Sequence, residues 1–244
     1  MEDDHVTQDD LKVSGLQLFQ PRRGYRYSLD ALLLARFCPE VNPGGSIIDL
    51  GSGCGIISLL LARANPLASV VAIENNPEMA TLVERNVRHN DLDGRISVHE
   101  TDILHLRKHF PVSSFDLVVS NPPFRKAGSG RISPLAGRDS ARHETTAALA
   151  DFLAAAKYLV KPGGTICFIH HPSRLTDFIA HAMELKLALH RLRMVHDRIT
   201  GPATMFLAEL AKGSRSTLEL LPPLVIRDES GGYSDEAKVI LGGD

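Results

Sequence analysis

From Ser46 onward the chain alternates short β-branched runs with longer runs of helical spacing, and this alternation limits the fold more than any other feature. Ser46-Ile47-Ile48-Asp49-Leu50, Ser69–Ile73, Ile96–His99 and Phe115–Ser120 read as strands, with helices over Ile56–Ala64 and Pro77 to about His89. The strands are nearly continuous apolar runs. That pattern belongs to a parallel sheet covered on both faces. Further on, Thr145–Val160 reads as an amphipathic helix, Lys161-Pro162-Gly163-Gly164 as a turn, Thr165–Ile169 as a strand and Ser173–Leu185 as a helix. Leu189–Val195 and Ala203–Leu210 follow with no helix between them, predicting an antiparallel pair added to the sheet. Ser28 is placed to cap a helix through Phe37. Residues 1–20 show no period and are expected to form a loose arm. The predicted organisation is an arm over 1–27, one α/β domain over 28–226, and a polar tail over 227–244 packed on or following it.

With 244 residues, 43% of them hydrophobic and 23% charged, the chain has the make-up of a soluble single domain, which sets aside fibrous, coiled-coil and wholly disordered readings. Cys38, Cys54 and Cys167 form no CxxC pair, so neither a disulfide framework nor a zinc knuckle is expected. The opening Met1-Glu2-Asp3-Asp4 is acidic where a signal peptide is basic, and the longest apolar run, Gly55–Ala62, is too short to span a bilayer. A cytoplasmic protein without membrane contact is the expectation. The net charge of −2 conceals three basic clusters: Arg22, Arg23 and Arg26; the segment Asn121–His143; and Lys186–Arg198. Each alone reads as a solvated face unless they converge on one site.

Asp49-Leu-Gly51-Ser-Gly53-Cys-Gly55 falls where the first of these strands becomes a helix. Its glycines allow a sharp turn and a close approach to a ligand. The spacing is neither G-x-G-x-x-G nor a P-loop, and the acid before the first glycine suits a cationic ligand rather than a pyrophosphate. Glu74, followed by Asn75, closes the second strand, where a carboxylate can grip two ribose hydroxyls; Asp102 follows the third and can reach an adenine edge. Together these residues predict a nucleoside site. They resemble the S-adenosylmethionine site of class I methyltransferases. That resemblance implies a Rossmann-like, seven-stranded, mostly parallel sheet with a terminal antiparallel hairpin and helices on both faces. It also implies that Asp49, Gly51, Gly53, Gly55, Glu74, Asn75 and Asp102 hold the cofactor, and that the arm around Tyr27, Ser28 and Asp30 closes over it.

Asn121-Pro122-Pro123-Phe124 ends the fourth strand. Two prolines fix the backbone and remove its N–H groups, leaving the Asn121 side-chain oxygen and the Pro122 carbonyl as preset acceptors. Two acceptors match the two donors of an exocyclic NH2. Holding both hydrogens out of the ring plane localises the nitrogen lone pair toward an electrophilic methyl group, and Phe124 is placed to stack on the flat group that bears the amine. The segment resembles the Asp/Asn/Ser-Pro-Pro-aromatic signature of methyltransferases acting on planar amino nitrogens, which implies catalytic roles for Asn121, Pro122 and Phe124, with Asn121 also touching the cofactor. No catalytic base and no metal are expected.

Arg125, Lys126, Arg138, Arg142 and His143 follow in a long glycine-containing loop that suits phosphate contacts. Ser140–Glu144, Tyr25–Leu34, Phe115–Phe124 and Arg227–Ser234 resemble bacterial tRNA adenine-N6 methyltransferases, which modify the adenine beside the anticodon of a valine tRNA. This implies tRNA as partner, with a monomer as the default and a dimer left open. Two departures are present: Phe124 stands where that family commonly has Tyr, and the loop is long. Methylation of rRNA or of protein glutamine, and a non-catalytic RNA-binding protein on the same fold, remain as alternatives. Glutamine methyltransferases carry a helical domain ahead of the sheet, for which the roughly 27 residues before the first helix leave no room.

Overall fold

In the computed structural model, residues 6–11, 14–22, 29–123, 147–213 and 217–242 are described. Strand β3 (Ser46–Leu50) lies inside the main sheet, between β4 (Ser69–Glu74) and β6 (Phe115–Ser120). Beyond β4 lies β5 (Ile96–Glu100); beyond β6 come β7 (Val160–His170), β9 (Ala203–Lys212) and β8 (Leu187–His196). All run parallel except β9, which is antiparallel to both of its neighbours. These seven strands and their final antiparallel pair are the expected architecture. Two short strands, β10 (Glu219–Leu220) and β11 (Leu224–Val225), extend the sheet along β8.

Alternate residues of each strand enter opposite cores. Ile47, Leu117, Val119, Cys167 and Ile169 pack with α1 (Leu29–Phe37), α2 (Ile56–Ala64) and α3 (Pro77–His89). Ile48, Leu50, Val118, Ile166 and Phe168 pack with α4 (Leu149–Leu159) and α5 (Leu175–Glu184). Burial on both faces is the physical reason the strands read as unbroken apolar runs.

Two expectations change, and the tail gains a helix. The described residues among 1–20 are not a loose arm: β1 (Val6–Leu11) and β2 (Leu16–Pro21) form an antiparallel hairpin whose Leu11, Leu16 and Leu18 are buried. Lys161–Gly164 does not end an element but lies inside β7, where the pairing shifts register between Phe115 and Leu117. Lys161 is held there by Asp116 at 2.7 Å. The tail contains α6 (Asp235–Leu241), capped by the Ser234 hydroxyl, which accepts from Ala237 N–H, with Ala237 and Ile240 buried. Tyr27, Ser28, Phe124, Arg125, Lys126, Arg138, Arg142 and His143 lie outside the described residues.

Candidate active site

Strand order creates the crevice. From β3 the chain moves outward to β4 and β5, then crosses back to β6 on the other side of β3. The segments leaving β3 and β6 therefore diverge, and α/β sheets bind ligands at such a point. In register, Leu50 is flanked by Ile73 on β4 and by Ser120 on β6. Gly51, Glu74 and Asn121 thus leave adjacent strand ends. The Ser120 hydroxyl donates to the Leu50 carbonyl at 2.8 Å, locking the β3 and β6 ends together just before Asn121.

The glycine turn is internally bonded. Gly51 and Ser52 donate N–H to the Ile73 carbonyl at 2.9 and 2.8 Å, Gly53 donates to Glu74 Oε2 at 2.8 Å, and Gly55 donates to the Ser52 carbonyl at 2.9 Å. With these N–H groups engaged, the turn is no phosphate cradle, in keeping with its spacing. Gly51 and Gly55 both have positive φ, +74° and +85°. A Cβ on Gly51 would lie 3.4 Å from the Phe152 ring, and one on Gly55 would lie 2.8 Å from Val83 Cγ1.

Glu74 is buried and binds the N–H groups of both flanking segments: Gly53 on Oε2 and Asn76 on Oε1, the latter at 2.9 Å. The Asn75 N–H is a third backbone group that favours the carboxylate, and of the four acceptor sites on the two oxygens at least one stays open. Burial raises the Glu74 pKa, and the backbone N–H donors oppose that rise. Asn75 lies between Glu74 and Asn76, the residue whose side chain caps α3. Asp102 caps the 3-10 turn Ile103–Lys108, accepting Leu104 N–H on Oδ1 at 2.9 Å. Asp30 stands in the first turn of α1.

Asp49 is fully buried on the α2 side of β3. Its Oδ2 accepts the Ser58 hydroxyl at 2.8 Å, whereas Oδ1 has no hydrogen-bond partner among the described residues. Burial pushes its pKa from 3.8 up to about 7, against the lowering effect of Ser58. The Ser52 hydroxyl in the turn is a second buried group without a partner among the described residues. A buried acid with an unmet oxygen, an unmet hydroxyl in the turn, and turn N–H groups already engaged within the protein fit a cationic nucleoside such as S-adenosylmethionine.

Sequence reasoning did not single out Ser58, Phe152 or Asn86, which bonds the Cys54 carbonyl at 2.8 Å. Ser58 and Asn86 carry a signal, since each is a polar residue inside the buried face of its helix. In the Lys186–Arg198 cluster, Lys186 and Arg198 are exposed, whereas the two arginines on β8 are paired within the protein. Arg191 pairs with Glu209, and Arg193 pairs with both oxygens of Glu236 at 2.7 and 2.8 Å.

The family model described as methyltransferase small domain matches residues 29–192. A protein of Porphyromonas gingivalis named tRNA1(Val) (adenine(37)-N6)-methyltransferase is 33% identical over 86% of this chain and 85% of its own length. One of Vibrio campbellii with the same name is 27% identical over 97% and 95%. Among solved structures, a predicted O-methyltransferase from Agrobacterium tumefaciens superposes with a TM-score of 0.71 at 23% identity, covering 88% of this chain and 96% of that one. The M. jannaschii tRNA m1G37 methyltransferase superposes with a TM-score of 0.60 at 17% identity, over 88% and 59%. With the glycine turn, Glu74 and the switch point all inside the matched region, the chain belongs to the methyltransferase small domain family, as a class I S-adenosylmethionine-dependent methyltransferase.

Proposed function

We propose that this chain methylates the exocyclic N6 amine of an adenine in tRNA, the one beside the anticodon of a valine tRNA. The observation that carries this reading is the position of Asn121-Pro122 at the end of β6, beside the glycine turn at the end of β3. The names of relatives matched along most of their length support the substrate.

S-adenosylmethionine, when bound, supplies the methyl group. Glu74 holds the ribose hydroxyls, Asn75 and Asp102 border the base, and Gly51, Gly53 and Gly55 give the backbone room beneath the rest. Asp49 places a carboxyl under a cationic ligand. Tyr27 and Ser28, with Asp30 in the first turn of α1, close the site. The Asn121 side-chain oxygen and the Pro122 carbonyl accept the two amine hydrogens, which turns the nitrogen lone pair out of conjugation and toward the methyl carbon. As the new N–C bond forms, the C–S bond breaks with its electron pair going to sulfur, and the extra proton on nitrogen leaves to water. Phe124 stacks on the extruded base. Arg125, Lys126, Arg138, Arg142 and His143 contact tRNA phosphates.

The test is methyl transfer from labelled S-adenosylmethionine to total tRNA from cells lacking this gene, with nucleosides resolved by mass spectrometry. N6-methyladenosine in one valine tRNA is the expected product. Label in rRNA or in protein glutamine, with none in tRNA, would refute the substrate.

A further inference from the structure

Asn86 and Asn90 stand one turn apart on α3, and both bond to the backbone of β2. Asn86 Oδ1 accepts Phe19 N–H at 2.7 Å and its Nδ2 donates to the Phe19 carbonyl at 2.9 Å. Asn90 repeats this pairing with Gln17, at 2.9 and 2.7 Å. Residues two apart in a strand present their polar groups to the same edge, so two amides at helical spacing stand in for a neighbouring strand. The amide of Asn86 also serves a second element: its Nδ2 donates to the Cys54 carbonyl at 2.8 Å, inside the glycine turn. Asn86 is fully buried, so water cannot replace any of these bonds. Val83, on the same face of α3, packs against Gly55 of that turn. One helix face therefore sets the place of both the hairpin and the turn.

We infer that Asn86 is a positioning residue for the cofactor site, coupling the docking of the β1–β2 hairpin to the shape of the turn 51–55. The inference rests on the cofactor reading above. When the hairpin leaves, Asn86 loses both Phe19 partners, its amide is free to rotate, and the Cys54 carbonyl loses its donor. By linkage, a ligand that holds the turn must hold the hairpin by the same factor.

The experiment measures amide hydrogen exchange at Gln17 and Phe19 in the full chain, with and without saturating S-adenosylhomocysteine. Amides of α6, which packs on α1 and β11 away from the turn, serve as reference. It also measures the affinity of Phe19→Ala for the same ligand. The Phe19 ring lies 3.9 Å from the Arg85 guanidinium and edge-on to His89, so its removal loosens the hairpin without touching the turn or the amide pairing. Ligand should slow exchange at Gln17 and Phe19 relative to α6 by about 5-fold or more, and Phe19→Ala should weaken ligand binding by a similar factor. In Asn86→Asp, which keeps an acceptor for the Phe19 N–H but loses the donor to both the Phe19 and Cys54 carbonyls, the ligand dependence of Phe19 exchange should vanish. Exchange at β2 that ignores bound ligand overturns the inference, as does persistent ligand dependence in a folded Asn86→Asp. Phe19→Ala with faster hairpin exchange but unchanged affinity also overturns it. Failure of the unaltered protein to bind the ligand refutes the cofactor reading itself, and the coupling with it.

Discussion

Replacing Asp49 by Asn isolates one buried charge. In the folded protein the carboxyl holds its proton up to about pH 7, whereas in the unfolded chain it releases it near 3.8. A carboxyl raised in this way favours folding most below pH 3.8, and that contribution is lost as the pH rises through 7. The full loss is about 4 kcal/mol, of which more than half falls between pH 5 and pH 8. Asn keeps an oxygen for the Ser58 hydroxyl but places an NH2 where Oδ1 has no partner, at a pH-independent cost of about 1–3 kcal/mol. The informative quantity is therefore the change with pH and not the absolute difference. Urea unfolding of the ligand-free protein and of Asp49→Asn at pH 5 and pH 8 measures it. The variant should gain about 2–3 kcal/mol relative to the parent across that interval. An equal difference at both pH values would mean that Asp49 titrates normally and is not the desolvated acid described above.

Glu74→Gln puts an amide NH2 against the N–H of Gly53 or Asn76; calorimetry should show S-adenosylhomocysteine binding weakened by about 10- to 100-fold, and a change below twofold would remove Glu74 from the ribose site. Gly55→Ala combines a left-handed φ with overlap on Val83, whereas Gly44→Ala has a similar φ and open space. Urea unfolding should show a loss of about 1 kcal/mol at Gly44 and about 1–3 kcal/mol more at Gly55; equal losses would deny the packing of α3 on the turn. Arg142→Ala should reduce the salt dependence of tRNA binding by about one unit of log–log slope, and an unchanged slope would exclude a phosphate contact.

The legible parts of the site are those with special backbone needs. Positive φ at Gly51, Gly53 and Gly55, and the paired prolines after Asn121, can be read locally, and they mark the ends of β3 and β6. Strands Ser46–Leu50 and Phe115–Ser120 were equally plain because burial on both faces makes them continuous apolar runs. The hairpin was hidden for the opposite reason. Inward alternation is confined to Leu16, Leu18 and Gln20 of β2, with only Leu11 buried in β1, and the outer edge of β2 is satisfied by Asn86 and Asn90, some seventy residues away. Lys161–Gly164 carries every local mark of a turn, yet tertiary pairing with β6 and the Asp116 contact keep it in the strand. The burial of Asp49 depends on Ser58, which only the packing of α2 on the sheet brings to it.

The central claim is a division of labour between strand ends, with β3 and β4 binding the cofactor and the end of β6 presenting the amine. Asn121→Ala tests it most directly, with methyl transfer to tRNA and S-adenosylhomocysteine affinity measured on the same preparation. Turnover should fall by about 100-fold or more, since a preset polar contact to the reacting group is lost, while the affinity stays within about twofold. A variant that loses ligand affinity along with turnover, or that keeps its turnover, would contradict the account.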